Sequence, residues 1–510
     1  MGISALVLLL ALVAIRFSRK LGLPSLLLYL GIGVLLATGL GIQFGNTPAS
    51  TLLTEQVGLG ALVFILAEGG LTTRWSNVRP ALGLGIALST VSVVVSIGVA
   101  GVGVHFLLGL DWRMSFLWGA VLSSTDAAAV FSVLRGIGVK SRLAATLELE
   151  SGLNDAPVVI AVLLLSAPDP LHWTDPLLVV SELGIGAAVG AGFGFGGAWL
   201  LRRGALPAAG LYPLATIAVV CGAYAAGQTL HGSGFLATYL AALILGNSRL
   251  PHRAATLSFA EGLGWLAQIG LFVMLGLYVD PGRLPGVLLT GIGVGLIVLL
   301  VARPLSVIAA AVPFRLPWRE QAMLSWSGLR GAVPIVLAMI PLMQRNDEAS
   351  VRLVDTVFIV VVIFTLLQGT TLPWVARRLG VLQLGEAHEV EVDASPLEEM
   401  NAQLLQVRLP PGSRMHGVYL DQLRLPPEAT VSLVLRDGRS MRLSGELRLQ
   451  VGDQLLVVVP EKVLEVTERR LRAIGRGGAL ATWFGDRGDV RSGSRDDPSG
   501  EAPNSGRLGR

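Results

Sequence analysis

The sequence predicts an all-α polytopic membrane protein carrying a small α+β domain at its C-terminal end, on three observations. Of its 510 residues, 52% are apolar and only 15% are charged, against about 25% charged in a soluble globule. The charges are also unevenly placed. Residues 1–380 hold 22 Lys/Arg and 16 Asp/Glu, whereas 381–510 hold 17 and 19. Within the first part, apolar runs recur between charges and Pro/Gly clusters at the roughly 20-residue length that crosses about 30 Å of hydrocarbon. A soluble enzyme is excluded. The body carries a net +6 and the tail −2, which gives neither part the charge of a nucleic-acid binder. A single cysteine, Cys221, rules out disulfides and Cys-based metal centres, and nothing in the pattern asks for a cofactor.

Cutting the body at its charges and turn residues gives thirteen candidate spans. They are 2–18, 21–40, 52–71, 80–108, 113–134, 141–167, 176–202, 206–230, 233–249, 257–279, 285–314, 319–342 and 352–378. The first lacks a basic leader and its charges (Arg16, Arg19, Lys20) follow the apolar stretch, so it reads as a retained span and not a signal peptide. With thirteen spans, sixteen loop Lys/Arg fall on one face and only Arg113, Arg283, Arg345 and Arg352 on the other. The positive-inside rule then places the N-terminus outside and the C-terminal domain in the cytoplasm of an inner-membrane protein.

Charges inside the spans mark function, because an ionised group at mid-membrane costs about 2.5–3.5 kcal/mol even on the mild scale. Glu68, Asp126, Glu148, Glu150, Asp155 and Glu261 stand out, with Arg330 as the basic counterpart. The richest stretch is LELESGLNDAP (147–157). Helical spacing sets Glu150 over Asn154 and Ser151 over Asp155, an oxygen set suited to a hard cation. A polar face that merely binds helices together would use amides and hydroxyls without two carboxylates. Ser123-Ser124-Thr125-Asp126 and Ser325 with Ser327-Gly328-Leu329-Arg330-Gly331 and Pro334 interrupt two further spans near their middles. One span runs inward and the other outward, as in inverted repeats with two broken helices at a midplane site. Arg330 stays protonated and needs an acid, Glu150 or Glu148. If it takes Glu150, Asp155 is left as the carboxylate for which proton and cation compete.

These residues carry a resemblance. SSTDAAAVFSVLRGIGVKSRLAATLELESGLNDAPVV (123–159), SWSGLRGAVPIVLA (325–338) and FILAEGGLTT (64–73) resemble the NhaP-type members of the monovalent cation:proton antiporter-1 family, over about 1–380. The resemblance implies thirteen helices in a core domain with two crossed, unwound helices and a dimerisation domain, hence a homodimer in the lipid bilayer. It implies Asp155 as the shared proton and cation carboxylate. Thr125, Asp126, Ser151 and Asn154 complete the monovalent cation site, Glu68 lines it, and Glu150–Arg330 is a stabilising ion pair. Asn154 before the aspartate resembles the electroneutral branch. Ala127, where many relatives have Pro, resembles the potassium/proton type with cytoplasmic tails. The function implied is exchange of K⁺, or else Na⁺, for H⁺ by alternating access, with no enzymatic activity. A gated cation channel with a regulatory tail is the alternative, although no carbonyl-filter motif is present.

In the tail, 381–402 reads as an acidic linker. Short β-branched runs, turns at Asp437-Gly438 and Gly452-Asp453, and a final amphipathic helix predict a small α+β domain over 403–474. It resembles a TrkA-C (RCK-C) domain, which would either sense a small ligand such as a nucleotide or serve as a dimerisation adaptor. Residues 475–510 are Gly-, Arg-, Asp- and Ser-rich and read as disordered. GFGFGG (192–197) sits inside a span and reads as helix packing, with Gly190 and Gly194 as a small-residue pair.

Overall fold

The computed structural model describes residues 2–21, 24–40, 48–125, 139–168, 170, 172, 174–345, 347–382, 391–397, 402–410, 412–436 and 438–478. The chain forms two compact units, 1–383 and 384–510.

Among the described residues, the first unit is built of helices. Its helices are α1 (Gly2–Leu21), α2 (Ser25–Leu40), α3 (Pro48–Thr72), α4 (Trp75–Val78), α5 (Leu82–Ser89), α6 (Val91–Leu108), α7 (Trp112–Val121), α8 (Ser141–Leu153) and α9 (Asp155–Ser166). They continue as α10 (Asp175–Arg203), α11 (Leu211–Thr229), α12 (Gly234–Gly246), α13 (Arg253–Tyr278), α14 (Leu284–Ile297), α15 (Arg303–Ala311), α16 (Trp318–Trp326), α17 (Ala332–Arg345) and α18 (Glu348–Leu379). Among the described residues eight helical stretches are long and apolar enough to cross a membrane, and four shorter apolar helices accompany them. The fifth expected span, 113–134, runs beyond Thr125 and leaves the described residues. Large apolar side chains such as Phe106, Val94, Leu177 and Leu289 lie exposed on the helix surfaces, as lipid-facing positions require.

These helices pack as two bundles. The first contains α1–α3 and α10–α13, the second α5–α9 and α14–α18, and contacts within each outweigh those between them. Small residues let backbones close up in the first bundle. A Cβ on Gly190 would stand 2.7 Å from the Ala237 carbonyl oxygen and one on Gly194 2.8 Å from Ile244, so the small-residue pair seats α10 on α12.

The four arginines expected on the sparsely basic face are all engaged. Arg113 donates to the Leu164, Leu165 and Ala167 carbonyls, and Arg345 to those of Leu165 and Ser166. Both therefore cap the C-terminal end of α9, where the helix dipole favours cations. Arg283 meets Asp355 at 3.3 Å and Arg352 meets Glu348 at 2.8 Å. Asp355, 3% exposed, is a buried acid that hydropathy patterning passed over.

In the second unit an antiparallel sheet orders its strands β1-β2-β5-β3-β4. They are β1 (Glu391–Leu397), β2 (Ala402–Arg408), β3 (Thr430–Arg436), β4 (Arg439–Met441) and β5 (Gln454–Pro460), followed by α19 (Leu464–Gly477). Leu405, Val407, Val457, Val459, Leu471 and Ile474 form its core. The stretch read as a linker thus contributes an edge strand, whose charges and Pro396 suit an edge position. Gly452 turns at φ +91°, and the next residue, Asp453, is fully buried. Its carboxylate accepts both prongs of Arg436, at 2.8 and 2.9 Å, and the Gln450 N–H at 2.8 Å.

Candidate functional site

The site forms where two interrupted helices meet. After α7 the chain leaves helical geometry over Leu122–Thr125, and between α16 and α17 it does so over Ser327–Gly331. Each interruption frees backbone carbonyls that water cannot reach, so polar side chains must satisfy them. Arg330, 3% exposed, reaches from the second break to donate to the Ser124 carbonyl in the first, while the Thr365 hydroxyl donates to the Arg330 carbonyl. Arg330 therefore joins the two breaks.

α8 and α9 are nearly one helix, bent at Asn154. Asp155 opens α9, where helix-end N–H groups favour a carboxylate. It is 5% exposed, and its Oδ1 accepts from the Ser124 hydroxyl at 2.7 Å. Asn154 Nδ2 donates to Thr125 Oγ1 at 2.7 Å, and Thr125 Oγ1 lies 3.2 Å from Ser151 Oγ. The buried Asn154 Oδ1 has no hydrogen-bond partner among the described residues. Thr125, Ser151, Asn154 and Asp155 are thus gathered in one place, together with Ser124, which the pattern had noted only as part of a helix break. Asp126 lies outside the described residues. Glu68, half-buried on α3, packs against α13, with its Cβ 3.0 Å from where a Cβ on Gly264 would stand. Glu261 is exposed on α13.

The ion pair differs from the expectation. Among the described residues Glu150, 1% exposed, pairs with Arg303, 4% exposed, and not with Arg330. Arg303 also donates from Nη2 to the Leu324 carbonyl at 3.2 Å, which ties α8 to α16. The guanidinium lies so close to the second break that a Cβ on Gly328 would come within 2.5 Å of its Nε. A π turn over Val298–Ala302 directly precedes Arg303, a helix irregularity common at functional sites. The physical reason for the mismatch is tertiary packing: Glu150 lies near both arginines, and the ion pair closes on Arg303. A mid-span arginine was the signal available for Arg303.

Glu148, half-buried, accepts from the Thr73 hydroxyl just beyond α3. No group of three or more His, Cys, Asp or Glu side chains fit to hold a metal occurs among the described residues. The oxygens gathered at Asp155 come from one carboxylate with hydroxyls and an amide.

Two helices broken in mid-body and joined by a buried arginine, with a buried carboxylate beside the first break, define an ion-transporter core. Residues 6–378 match the family model described as sodium/hydrogen exchanger, transmembrane, and 404–472 match the TrkA-C domain model. The chain belongs to the sodium/hydrogen exchanger family. It is 36% identical to the K(+)/H(+) antiporter NhaP of Alkalimonas amylolytica over 88% of this chain and 79% of that protein. To the K(+)/H(+) antiporter NhaP2 of Shewanella baltica (strain OS223) it is 33% identical, over 92% and 82%. The solved sodium proton antiporter MjNhaP1 of Methanocaldococcus jannaschii shares the fold, with a TM-score of 0.66 at 21% identity over 74% of this chain and 98% of that one.

Proposed function

We propose that this chain is a secondary antiporter of the inner membrane that exchanges monovalent cations for protons, with Asp155 as the carboxylate both ions share. The carrying observation is where Asp155 stands: it is 5% exposed, accepts from the Ser124 hydroxyl of the first helix break, and opens α9 beside Thr125, Ser151 and Asn154. A proton or a cation can then neutralise Asp155 in turn, and the neutral form crosses more readily because an ion in hydrocarbon is costly. Ser124, Thr125, Ser151 and Asn154 would replace part of the hydration shell, with Asp126 and Glu68 completing it.

The two-bundle packing supports alternating access, with the Asp155 bundle moving against α1–α3 and α10–α13 as a scaffold. Thirteen spans, an outside N-terminus, a cytoplasmic C-terminal unit, a homodimer and electroneutral exchange complete the reading. K⁺ is the favoured cation, because the two sequence relatives cited above are named for it, with Na⁺ second. The TrkA-C unit would regulate exchange, through a small ligand such as a nucleotide or by self-association.

The test is a reconstituted vesicle with an imposed pH gradient. Addition of K⁺, and more weakly Na⁺, should dissipate the gradient at a rate insensitive to membrane voltage. Cation current without coupled proton movement would replace the antiporter with a channel.

A further inference from the structure

The chain leaves α18 through a turn that returns to the ion-site helix. α18 is capped by Gly380, which turns at φ +65°. The Val381 N–H then donates back to the Ala376 carbonyl at 3.2 Å, a helix ending that a left-handed glycine permits. Beyond the turn Leu382 forms an antiparallel bridge with Val139, and the Lys140 N–H donates to the Val381 carbonyl at 3.3 Å. Val139 and Val381 are both buried, so the crossing is packed as well as bonded.

Lys140 stands at a junction. It directly precedes α8, the helix that runs on to Asp155. Its Nζ meets Glu320 Oε1 at 2.8 Å, and Glu320 lies on α16, the helix that ends at the second break. One residue thus ties the start of the Asp155 helix both to the helix leading to Arg330 and to the exit of α18. In sequence, residues 383–390 alone separate Leu382 from β1 of the C-terminal unit, a tether of about 28 Å at full extension. Among the described residues the crossing is held by one backbone hydrogen bond and one ion pair whose lysine is 46% exposed. Each is modest by itself, so the crossing can open while the helices stay folded.

We propose that the Val139–Leu382 bridge is a regulatory clamp through which the C-terminal unit controls exchange at Asp155. Closed, it holds the starts of α8 and α16 to the end of α18 and slows the Asp155 helix. Opened by a pull through residues 383–390, it releases both helices. Coupling between distant sites needs an element with two discrete arrangements, and the clamp supplies one. It rests on the antiporter reading and on regulation by the C-terminal unit, to which it gives a route.

The test uses the full chain in proteoliposomes, with K⁺ as the probe. Val139→Cys and Leu382→Cys, in a Cys221→Ser background, would stand about 4.5 Å apart between Cα atoms, as such antiparallel pairs do, within disulfide reach. Oxidation should slow exchange at least about fivefold, the lower end of ordinary allosteric coupling, and a reductant should restore it. A Gly-Ser insertion of about six residues after Gly385 slackens the tether and should slow the parent in the same direction. Lys140→Pro removes the bridging N–H at a residue whose φ is already −45°, a conformation close to that of proline at a helix start. It should exchange at least as fast as the parent and ignore the insertion, whereas Lys140→Gln, which loses only the ion pair, should still respond to it. If Lys140→Pro fails to fold, the oxidised cysteine pair decides, because it too should ignore the insertion. Equal rates before and after oxidation, an insertion without effect in the parent, or an undiminished effect in Lys140→Pro or the oxidised pair overturns the clamp. Asp155→Asn is run in parallel: if it still exchanges, the antiporter reading fails, whatever the bridge does.

Discussion

Arg303 closes an ion pair on Glu150 inside the membrane body, five residues before the carboxylate proposed to carry the ions. Both partners are nearly inaccessible, at 4% and 1% exposure. Removing one half of such a pair strands the other charge, which costs about 3–5 kcal/mol. Arg303→Ala should therefore collapse the folded yield in detergent. Arg303→Met combined with Glu150→Leu should recover much of it, because similar-sized apolar residues replace a buried pair at little cost. Size-exclusion profiles and thermal melts of the purified variants check this. A stable Arg303→Ala protein would show that the pair does not hold α8 in place.

Ser124 contributes twice, its carbonyl to Arg330 and its hydroxyl to Asp155. Ser124→Ala deletes only the second contact. A hydrogen bond to a charged group is worth about 1.5–3 kcal/mol, so exchange should slow by at least about tenfold while the fold survives. Initial rates in proteoliposomes, alongside a melt, separate the two effects. Equal rates for variant and parent would remove Ser124 from the site.

Asp347 caps α18, accepting the Ser350 N–H at 2.8 Å. Burial alone pushes its carboxyl up, but hydrogen bonding from Ser350, with Arg345 nearby, outweighs this and holds it below the usual carboxylate range. A lowered carboxyl stabilises the fold fully above its unfolded value, and loses that contribution as pH falls through the folded one. Asp347→Asn should keep the cap while flattening this acid dependence. Melting curves from neutral to strongly acidic pH measure it, and an identical acid slope in both proteins would contradict the assignment.

In the C-terminal unit, Asp453 is fully buried beneath the fork of Arg436. Asp453→Ala should unfold that unit at markedly lower temperature, by about 3 kcal/mol or more. The membrane body, which has its own core, should keep its melt. Limited proteolysis checks it: rapid loss of the tail with survival of the membrane fragment is the expected pattern.

Much of this was legible in the sequence. Hydropathy located the helices because each must present an apolar surface to lipid, and both interruptions were visible as polar and Gly/Pro residues where a continuous helix would be expected. The gathering of Ser151, Asn154 and Asp155 followed from their closeness along one helix. Contacts between helices were less readable. Nothing in spacing decides whether Glu150 meets Arg303 or Arg330, since both lie more than 150 residues away and tertiary packing makes the choice. Arg303 was passed over as an ordinary charge within an apolar span, although its mid-span position alone asked for a buried acid. The edge strand Glu391–Leu397 was hidden for another reason: its charges and Pro396 look like linker residues because an edge strand tolerates them.

The account stands on Asp155, and the most direct measurement is exchange by Asp155→Asn reconstituted in proteoliposomes under an imposed pH gradient. The variant should fold as the parent does and show no cation-dependent proton movement with K⁺ or Na⁺. Substantial exchange by that folded variant would contradict the central claim and return the transport role to another carboxylate.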